Sequence, residues 1–212
     1  AGEAGDRAWS ASPAWLWLPT IRGMALSQAL CNRPLHDQPR GAASLIRSHT
    51  LQREPWVEAP LQQIFPFFAQ PENLALITPA SLDFRLLSPQ PVAMDKGRII
   101  DYTIRVMGLP VRWRTLITTY DPPRCFVDEQ LSGPYSFWHH THRFEPRDGG
   151  TLLYDEVRYV LPMALIGPFR GLVHTLYVRP CLERIFDYRE QVFARLFGAN
   201  PITSKQGAHP LT

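Results

Sequence analysis

The segment Gly133–Glu145, GPYSFWHHTHRFE, holds the residue types best suited to chemistry in this chain. It opens with a Gly-Pro turn signal and continues as an aromatic-rich run. Side chains alternate between the two faces of a β-strand, so Trp138, His140, His142 and Phe144 are predicted to share one face. Two imidazoles set between large aromatic rings are typical of a cavity wall, which is mostly apolar with a few orienting polar groups.

The same alternation along the neighbouring predicted strands indicates which of their side chains share this face, which we take as the inner face of the sheet. The side chains expected on it are Trp113, Phe126, Asp128, Gln130, Trp138, His140, His142, Asp155 and Tyr159. The aromatic members would form the apolar wall. Each buried polar group left without a partner costs about 1–3 kcal/mol, and carboxylates facing imidazoles would meet that need. Such pairs hold a charged imidazole at neutral pH where the pairing outweighs desolvation.

Several roles fit this polar set. The pattern favours a hydrogen-bond network that fixes strand register, followed by ligand orientation. General acid/base catalysis would use His140, His142, Asp128 or Asp155. No third ligand stands at a diagnostic spacing from the two histidines, so we expect no metal site, and no phosphate-binding glycine loop or other motif predicts a cofactor. His139 falls on the opposite face, where we expect it to be solvated.

Composition limits the class of protein. The chain has 212 residues, 45% of them hydrophobic, which is enough for one good core. Lys and Arg number 22 against 19 Asp and Glu, and this scattered excess does not predict nucleic-acid binding. The three cysteines, Cys31, Cys125 and Cys181, show no metal-ligand spacing or disulfide framework, which favours a cytoplasmic location.

The sequence divides into three regions that differ in composition and periodicity. Residues 1–44 are rich in Ala, Gly, Pro and Arg and are expected to be a flexible extension. Their apolar run, residues 14–18, is bracketed by prolines and falls far short of the ~20 residues of a membrane span, so we expect no stable membrane insertion. Residues 45–198 carry the periodic patterns of a folded domain, and 199–212 form a polar tail.

Within the domain, the patterns predict two short helices after a first strand, then successive strands, then one long helix. The predicted helices are Leu61–Phe68, Glu72–Ile77 and residues 167–198, the last kinked or started at Pro180. The predicted strands are residues 45–53, Leu82–Ser88, Arg98–Met107, Val111–Tyr120, Phe126–Ser132, the aromatic segment and Thr151–Leu161. Tight turns between successive strands indicate an antiparallel meander, so the order is that of an α+β fold.

This order and its motifs resemble the SRPBCC superfamily, also called the START-like or helix-grip fold, and its bacterial branch near polyketide cyclases/dehydrases and coenzyme Q-binding proteins. The resemblance covers about residues 45–198. Its motifs are Trp113 with Ile117, Tyr120–Pro123, Phe126–Gln130, the aromatic segment, Asp155–Tyr159 with Leu161-Pro162, and Leu182–Arg189. It implies a Bet v1-like fold, in which a curved antiparallel sheet wraps around the C-terminal helix.

The resemblance also implies binding of a small-to-medium hydrophobic ligand, such as a lipid, quinone, polyketide or aromatic compound, in an internal cavity. One alternative is a cyclase- or dehydratase-like enzyme that uses the same His and Asp groups. Another is a protein-interaction module whose core is filled. The presence or absence of a cavity distinguishes the third hypothesis from the first two.

Overall fold

The computed structural model describes residues 48–162 and 167–198. Within these ranges, eight strands form one antiparallel sheet, and a long helical segment follows near the C-terminal end. No helix in them is long and apolar enough to cross a membrane. The predictions for residues 1–44, for the start of the first strand and for the tail 199–212 lie outside the described residues.

The strands are β1 (His49–Arg53), β2 (Trp56–Val57), β3 (Arg85–Leu86), β4 (Ile99–Val106), β5 (Leu109–Asp121), β6 (Cys125–Ser132), β7 (Phe137–Arg147) and β8 (Gly150–Val160). The α-helices are α1 (Leu61–Phe68), α2 (Arg170–Val173) and α3 (Arg179–Phe197). Short 3₁₀ turns span Pro71–Ala75, Ala80–Leu82 and Gly167–Phe169, and a π-helical turn, His174–Val178, joins α2 to α3.

The sheet is ordered β1-β8-β7-β6-β5-β4-β3, and β2 also pairs with β8. The pairing of β5 with β6 shifts register twice, between Arg114 and Thr115 and between Ile117 and Thr119. Such bulges bend a strand and increase its twist, which favours a sheet curved around the helix. The predicted helix-grip architecture, an α+β fold, is therefore confirmed.

Tight turns set the register of the long strands. The hairpin between β7 and β8 turns through Asp148 and Gly149, whose φ angles are 51° and 79°. Positive φ at both positions is the geometry of a type I′ turn, whose twist matches that of the flanking strands. The Asp-Gly signal in the sequence therefore predicts this hairpin correctly.

Some predicted elements differ from those observed. The second short helix is a 3₁₀ turn, Pro71–Ala75, and the strand predicted over Leu82–Ser88 shrinks to Arg85–Leu86. Three prolines between residues 79 and 91 remove backbone donors around that strand. The two-residue strand β2 was not predicted, because its only signal is pairing with Leu152 and Thr151 of a distant strand.

Two hydrophobic clusters join the sheet to the helices. The first packs α1 and the C-terminal part of α3 on β6, β7 and β8, through residues that include Phe65, Phe68, Phe126, Phe144 and Phe193. The second joins Trp113, Trp138, Tyr159, Leu182 and Phe186. Sheet and helix are thus held together at two separate places along the length of α3.

The C-terminal helical segment changes its hydrogen-bonding pattern before Pro180. Proline lacks an N–H and its ring clashes with the carbonyl four residues earlier. The π-helical turn His174–Val178 precedes it, and π turns insert one extra residue into a helix. The helix thus continues through Pro180 instead of starting there, and it ends at Gly198 with a φ of 76°.

Two of the three cysteines lie in the described residues. Cys125 is buried, and Cys181 is a partly exposed free thiol. The expected cytoplasmic location stays a prediction.

The outer face of the sheet contains a buried polar network around Glu156. The Glu156 carboxylate is buried and accepts hydrogen bonds from Gln52 (2.7 Å) and the Tyr154 hydroxyl (2.8 Å), and Arg158 forms a salt bridge with it. Burial raises the pKa of Glu156, but the Gln52 hydrogen bond and the Arg158 charge together outweigh burial and lower it. The ionised carboxylate therefore stabilises the fold.

Replacing Glu156 by Gln should lower the free energy of unfolding at pH 7 by about 1–3 kcal/mol, since a hydrogen-bonded buried charge is lost. The folded-state pKa is lowered, so this contribution is complete above the unfolded-state pKa near 4.5 and is lost as pH falls through the folded-state value. Urea unfolding from pH 7 to pH 4 should show the deficit shrinking below about pH 4.5. Glu183→Gln, in an exposed pair with Arg179, is the control and should cost little. An equal, pH-independent loss in both variants would contradict the prediction.

Candidate functional site

A cavity of about 780 Å³ lies between the inner face of the sheet and the C-terminal helices. This volume falls within the ~300–1,000 Å³ range typical of small-molecule sites. Most of its lining side chains are apolar or aromatic, and they come from the end of α1 and the region after it, strands β4 to β7, and the helices from α2 onward. The hypothesis of a filled core is therefore wrong for the described residues.

Six of the nine predicted side chains line this cavity. They are Trp113, Phe126, Asp128, Trp138, His140 and His142. The other three are close by but do not form the wall. The side-chain amide of Gln130 donates to the Tyr135 carbonyl (2.6 Å) and accepts from the Tyr135 N–H (3.3 Å). The Tyr159 hydroxyl lies 2.9 Å from His174 Nε2. Asp155 lies behind the two histidines. No observation tests ligand contact by any of the nine, which stays a prediction.

Strand register brings the four acid and imidazole groups together. Asp128 on β6 lies opposite His140 on β7, and His142 lies opposite Asp155 on β8. Because all four positions have the same parity, their side chains share the inner face. The two imidazole centroids are 3.8 Å apart, and Phe126 stacks on His142 at 4.2 Å. The sequence prediction that these histidines face a cavity is consistent with this geometry.

Each imidazole lies between the two carboxylates. Asp128 Oδ2 forms a hydrogen bond with His142 Nε2 (3.1 Å) and lies 3.4 Å from His140 Nδ1. Asp155 Oδ1 is 2.6 Å from His142 Nδ1 and 3.4 Å from His140 Nε2. These contacts to Asp155 lie outside good hydrogen-bond angles, since neither nitrogen has a partner that meets angular criteria. At these distances the Asp155 carboxylate still interacts electrostatically with both imidazoles.

The charges within this cluster are unequal. Burial raises the pKa of both carboxyls, but the neighbouring histidines outweigh burial and lower the pKa of Asp128 and of Asp155. Burial lowers the pKa of His142, yet the charges of Asp155 and Asp128 outweigh it and raise the pKa. Burial, together with the charge on His142, leaves the pKa of His140 lowered. The arrangement favours a charged His142 beside a neutral His140.

Arg189 is a cavity residue that the sequence analysis missed. It projects from α3 into the cavity wall with 8% of its surface exposed, and its guanidinium carbon lies 4.9 Å from the Phe186 ring centroid. Its Nε–H has no acceptor, and it forms no salt bridge with another described residue. Burial lowers the pKa of Arg189, and the charges of Asp155 and Asp128 partly oppose this.

The signal for Arg189 was present in the helix pattern. Leu182, Phe186, Arg189 and Phe193 recur every three or four residues and are all buried. An arginine on the apolar stripe of a helix has to be paired or face a polar site, because burial of an unpaired charge is costly. In the sequence, Arg189 was noted only as the last residue of the motif Leu182–Arg189 and was given no place in the cavity.

His139 corrects another expectation. It is buried on the outer face and not solvated, and its Nδ1 lies 2.9 Å from Glu129 Oε1. The two residues are directly opposite in register on β6 and β7. Parity therefore gives the correct face for His139 but not its burial.

The sequence from residue 57 to residue 186 matches the family described as polyketide cyclase / dehydrase and lipid transport. This match covers more than half of the chain. The protein belongs to this family. A comparison with curated proteins found no significant match.

Solved structures support the fold assignment. The protein TTHA0849 from Thermus thermophilus superposes with a TM-score of 0.55 at 17% identity, covering 69% of this chain and 98% of that one. The di-domain ARO/CYC proteins StfQ, from the steffimycin biosynthetic pathway, and BexL, from the BE-7585A pathway, give TM-scores of 0.57 and 0.56. Their identities are 13% and 17%, over 71% and 73% of this chain and 51% of each of theirs. At these identities the likeness concerns the fold alone.

Trp138→Ala should lower the free energy of unfolding by about 3–5 kcal/mol, because Trp138 packs edge-on against Trp113 (centroids 5.1 Å apart) and beside Tyr135 (4.9 Å). It should also weaken binding of the uncharged dye Nile red, measured by fluorescence titration. Phe137→Ala is the matched control, since Phe137 is on the same strand with 44% of its surface exposed. Unchanged dye binding in Trp138→Ala would mean that this ring does not contact the bound dye.

Proposed function

We propose that this protein binds, in the cavity between sheet and helix, a hydrophobic molecule that carries a few hydrogen-bond-accepting oxygens. A lipid, a quinone, a polyketide or another aromatic compound has this character. The observation that carries the proposal is the combination of a roughly 780 Å³ cavity with buried donor groups on its wall that have no acceptor.

Two of those donors are the Nε–H of Arg189 and the Nε1–H of Trp113. Each is buried, lines the cavity and has no hydrogen-bond partner among the described residues. An unsatisfied buried donor costs about 1–3 kcal/mol, so a ligand oxygen that accepts from either one gains that energy. A pure hydrocarbon would leave both donors unsatisfied, which favours an oxygen-bearing ligand.

The apolar wall limits the rest of the ligand. Rings such as Phe68, Tyr102 and Trp138 border the cavity together with aliphatic side chains from the sheet and the helices. Burial of apolar ligand surface against such walls contributes roughly 25 cal/mol per Å². The polar groups would then orient the ligand while the apolar wall supplies most of the affinity.

A cyclase- or dehydratase-like activity is the second candidate. The observation that favours it is the pairing of unlike imidazoles: the pKa of His140 is lowered while that of His142 is raised. A neutral imidazole on the cavity wall can accept a proton from a bound ligand, and a charged one can donate, as general acid/base catalysis requires. The family description includes both cyclases/dehydrases and lipid transport, and therefore accommodates either candidate.

Competition between two flat molecules of one skeleton tests the binding proposal. Anthraquinone carries two carbonyl oxygens, and anthracene carries none. We expect both to displace Nile red from the full-length protein, with anthraquinone favoured. In Arg189→Met the preference should fall by about tenfold or more, since a hydrogen bond to a charged group contributes roughly 1.5–3 kcal/mol.

Arg184→Met is the matched control, because Arg184 is on the same helix but is exposed and bonds only the Pro180 carbonyl. It should keep the wild-type preference. Failure of Nile red and both competitors to bind would contradict the binding proposal itself. Equal preference in the wild type and in Arg189→Met would leave the cavity as the binding site and remove Arg189 as the group that orients the ligand.

A further inference from the structure

The imidazole and carboxylate groups at the cavity wall converge in a geometry that also suits a metal ion. His140 and His142 stand two residues apart on β7, so both rings point from one face of one strand. Asp128, directly opposite His140 on β6, adds a carboxylate from the neighbouring strand. One potential metal-ligand atom from each of these three residues lies within 4.8 Å of the other two.

The distances match those between ligands of one ion. Asp128 Oδ2 is 3.4 Å from His140 Nδ1 and 3.1 Å from His142 Nε2. An ion bound tetrahedrally at bond lengths of about 2.0–2.1 Å holds neighbouring ligand atoms about 3.3 Å apart. A cation can therefore take the place of the proton between Asp128 and His142 with little movement of the strands that carry them, and that proton is released because a metal-bound imidazole nitrogen carries none.

We propose that Asp128, His140 and His142 form a binding site for a divalent first-row transition-metal ion, with Zn²⁺ as the reference ion. Two imidazoles and one carboxylate are a ligand set that such ions favour over Mg²⁺ or Ca²⁺. The sequence analysis found no third ligand because Asp128 lies on a different strand from the two histidines, and only the pairing of β6 with β7 brings them together.

Asp155 completes the arrangement from the opposite side. Its Oδ1 lies 2.6 Å from His142 Nδ1 and 3.4 Å from His140 Nε2, which are the nitrogens that face away from Asp128. A carboxylate behind a metal-bound imidazole orients the ring and increases its basicity, and losing it typically weakens metal affinity about 10–100-fold. Here one carboxylate lies within contact distance of both rings, and each ring would have to rotate to donate a hydrogen bond to it.

Other groups in the described ranges lack this pattern. On the outer face, His139 pairs with Glu129 and its other ring nitrogen contacts the Thr141 hydroxyl. His174 stacks on His49 at 3.5 Å. Asp128, His140 and His142 are the one set of three metal-ligating side chains found among the described residues. All three also line the cavity, so the coordination positions that the protein does not fill would face the ligand space.

A bound ion would give the site a chemical role beyond the proposed ligand binding. Three protein ligands leave a tetrahedral ion one open position, as in catalytic zinc sites. That position can be taken by water or by a carbonyl, enolate or carboxylate oxygen of the cavity ligand. The buried guanidinium of Arg189 borders the same cavity and would favour an oxygen that carries negative charge.

Cobalt provides a spectroscopic test on the full chain after removal of metals with a chelator. We expect one equivalent of Co²⁺ to bind with the intense visible absorption of a four- or five-coordinate site, and Zn²⁺ to displace it. Asp128→Asn and His142→Gln should abolish this absorption, and Asp155→Asn should weaken Co²⁺ affinity about 10–100-fold. His139→Gln, one strand position away on the outer face, should bind as the wild type does.

Circular dichroism first checks that the variants are folded. X-ray absorption at the zinc edge, measured on the Zn²⁺-loaded wild type, then gives a result that does not depend on any variant. Two imidazoles and oxygen ligands would support the site, whereas sulfur or all-oxygen coordination would overturn it. Absence of stoichiometric Co²⁺ binding, or Co²⁺ binding unchanged in Asp128→Asn, would also overturn it. Nile red and anthraquinone titrations of metal-free protein report separately on the proposed ligand binding, so the two proposals can fail independently.

Discussion

The antiparallel pairing of β6, β7 and β8 is the constraint on which the site depends. It places Asp128 opposite His140 and Asp155 opposite His142, and it turns all four side chains toward the helix. A slip of one residue between these strands would move every one of those groups to the other face. The type I′ turn at Asp148 and Gly149 prevents such a slip between β7 and β8, so the turn at the end of this hairpin also sets the chemistry of the cavity.

The cavity exists because sheet and helix are held together at two places and not along their whole length. Aromatic residues around Phe65, Phe144 and Phe193 fill one region, and Trp113, Trp138 and Phe186 form the other. Large rings act as spacers, since each buries 150–250 Å² and keeps the backbones well apart. The polar cluster lies between these two regions, where Phe126 stacks on His142 and Phe186 meets His140 edge-on. Apolar packing therefore supports polar groups that could not be buried on their own.

Much of this architecture can be read from residue patterns. Alternation along Trp138, His140 and His142 predicts their shared face, and helical spacing over Leu182 to Phe193 predicts the buried stripe of α3. Local signals of this kind are strong because they depend only on strand and helix periods. They also predict α1 with its observed limits, Leu61–Phe68.

What the patterns miss depends on contacts between distant positions. The two-residue strand β2 exists only through β8, and the burial of His139 depends on Glu129 across the sheet. Gln130 alternates along its strand with the cavity residues, but both its amide nitrogen and its amide oxygen bond the backbone of Tyr135 in a nearby turn. Arg189 could have been found, since a charge on an apolar helical stripe is itself informative. Its orientation toward the polar cluster could not, because that depends on how the helix is rotated against the sheet.

That rotation depends on the π-helical turn before Pro180. Each residue of an α-helix advances the chain by about 100° around its axis, so one inserted residue changes which side chains of the two flanking helices are aligned. With the insertion, Val173 before the turn, Tyr177 within it, and Leu182, Phe186 and Arg189 after it all border the same cavity. Deleting one residue to restore a regular helix would put the residues before the turn out of phase with those after it, and no single rotation of the helix could return both sets to the sheet. The length of this short segment is therefore under tighter constraint than the identity of its side chains, and insertions or deletions should be tolerated there less readily than substitutions.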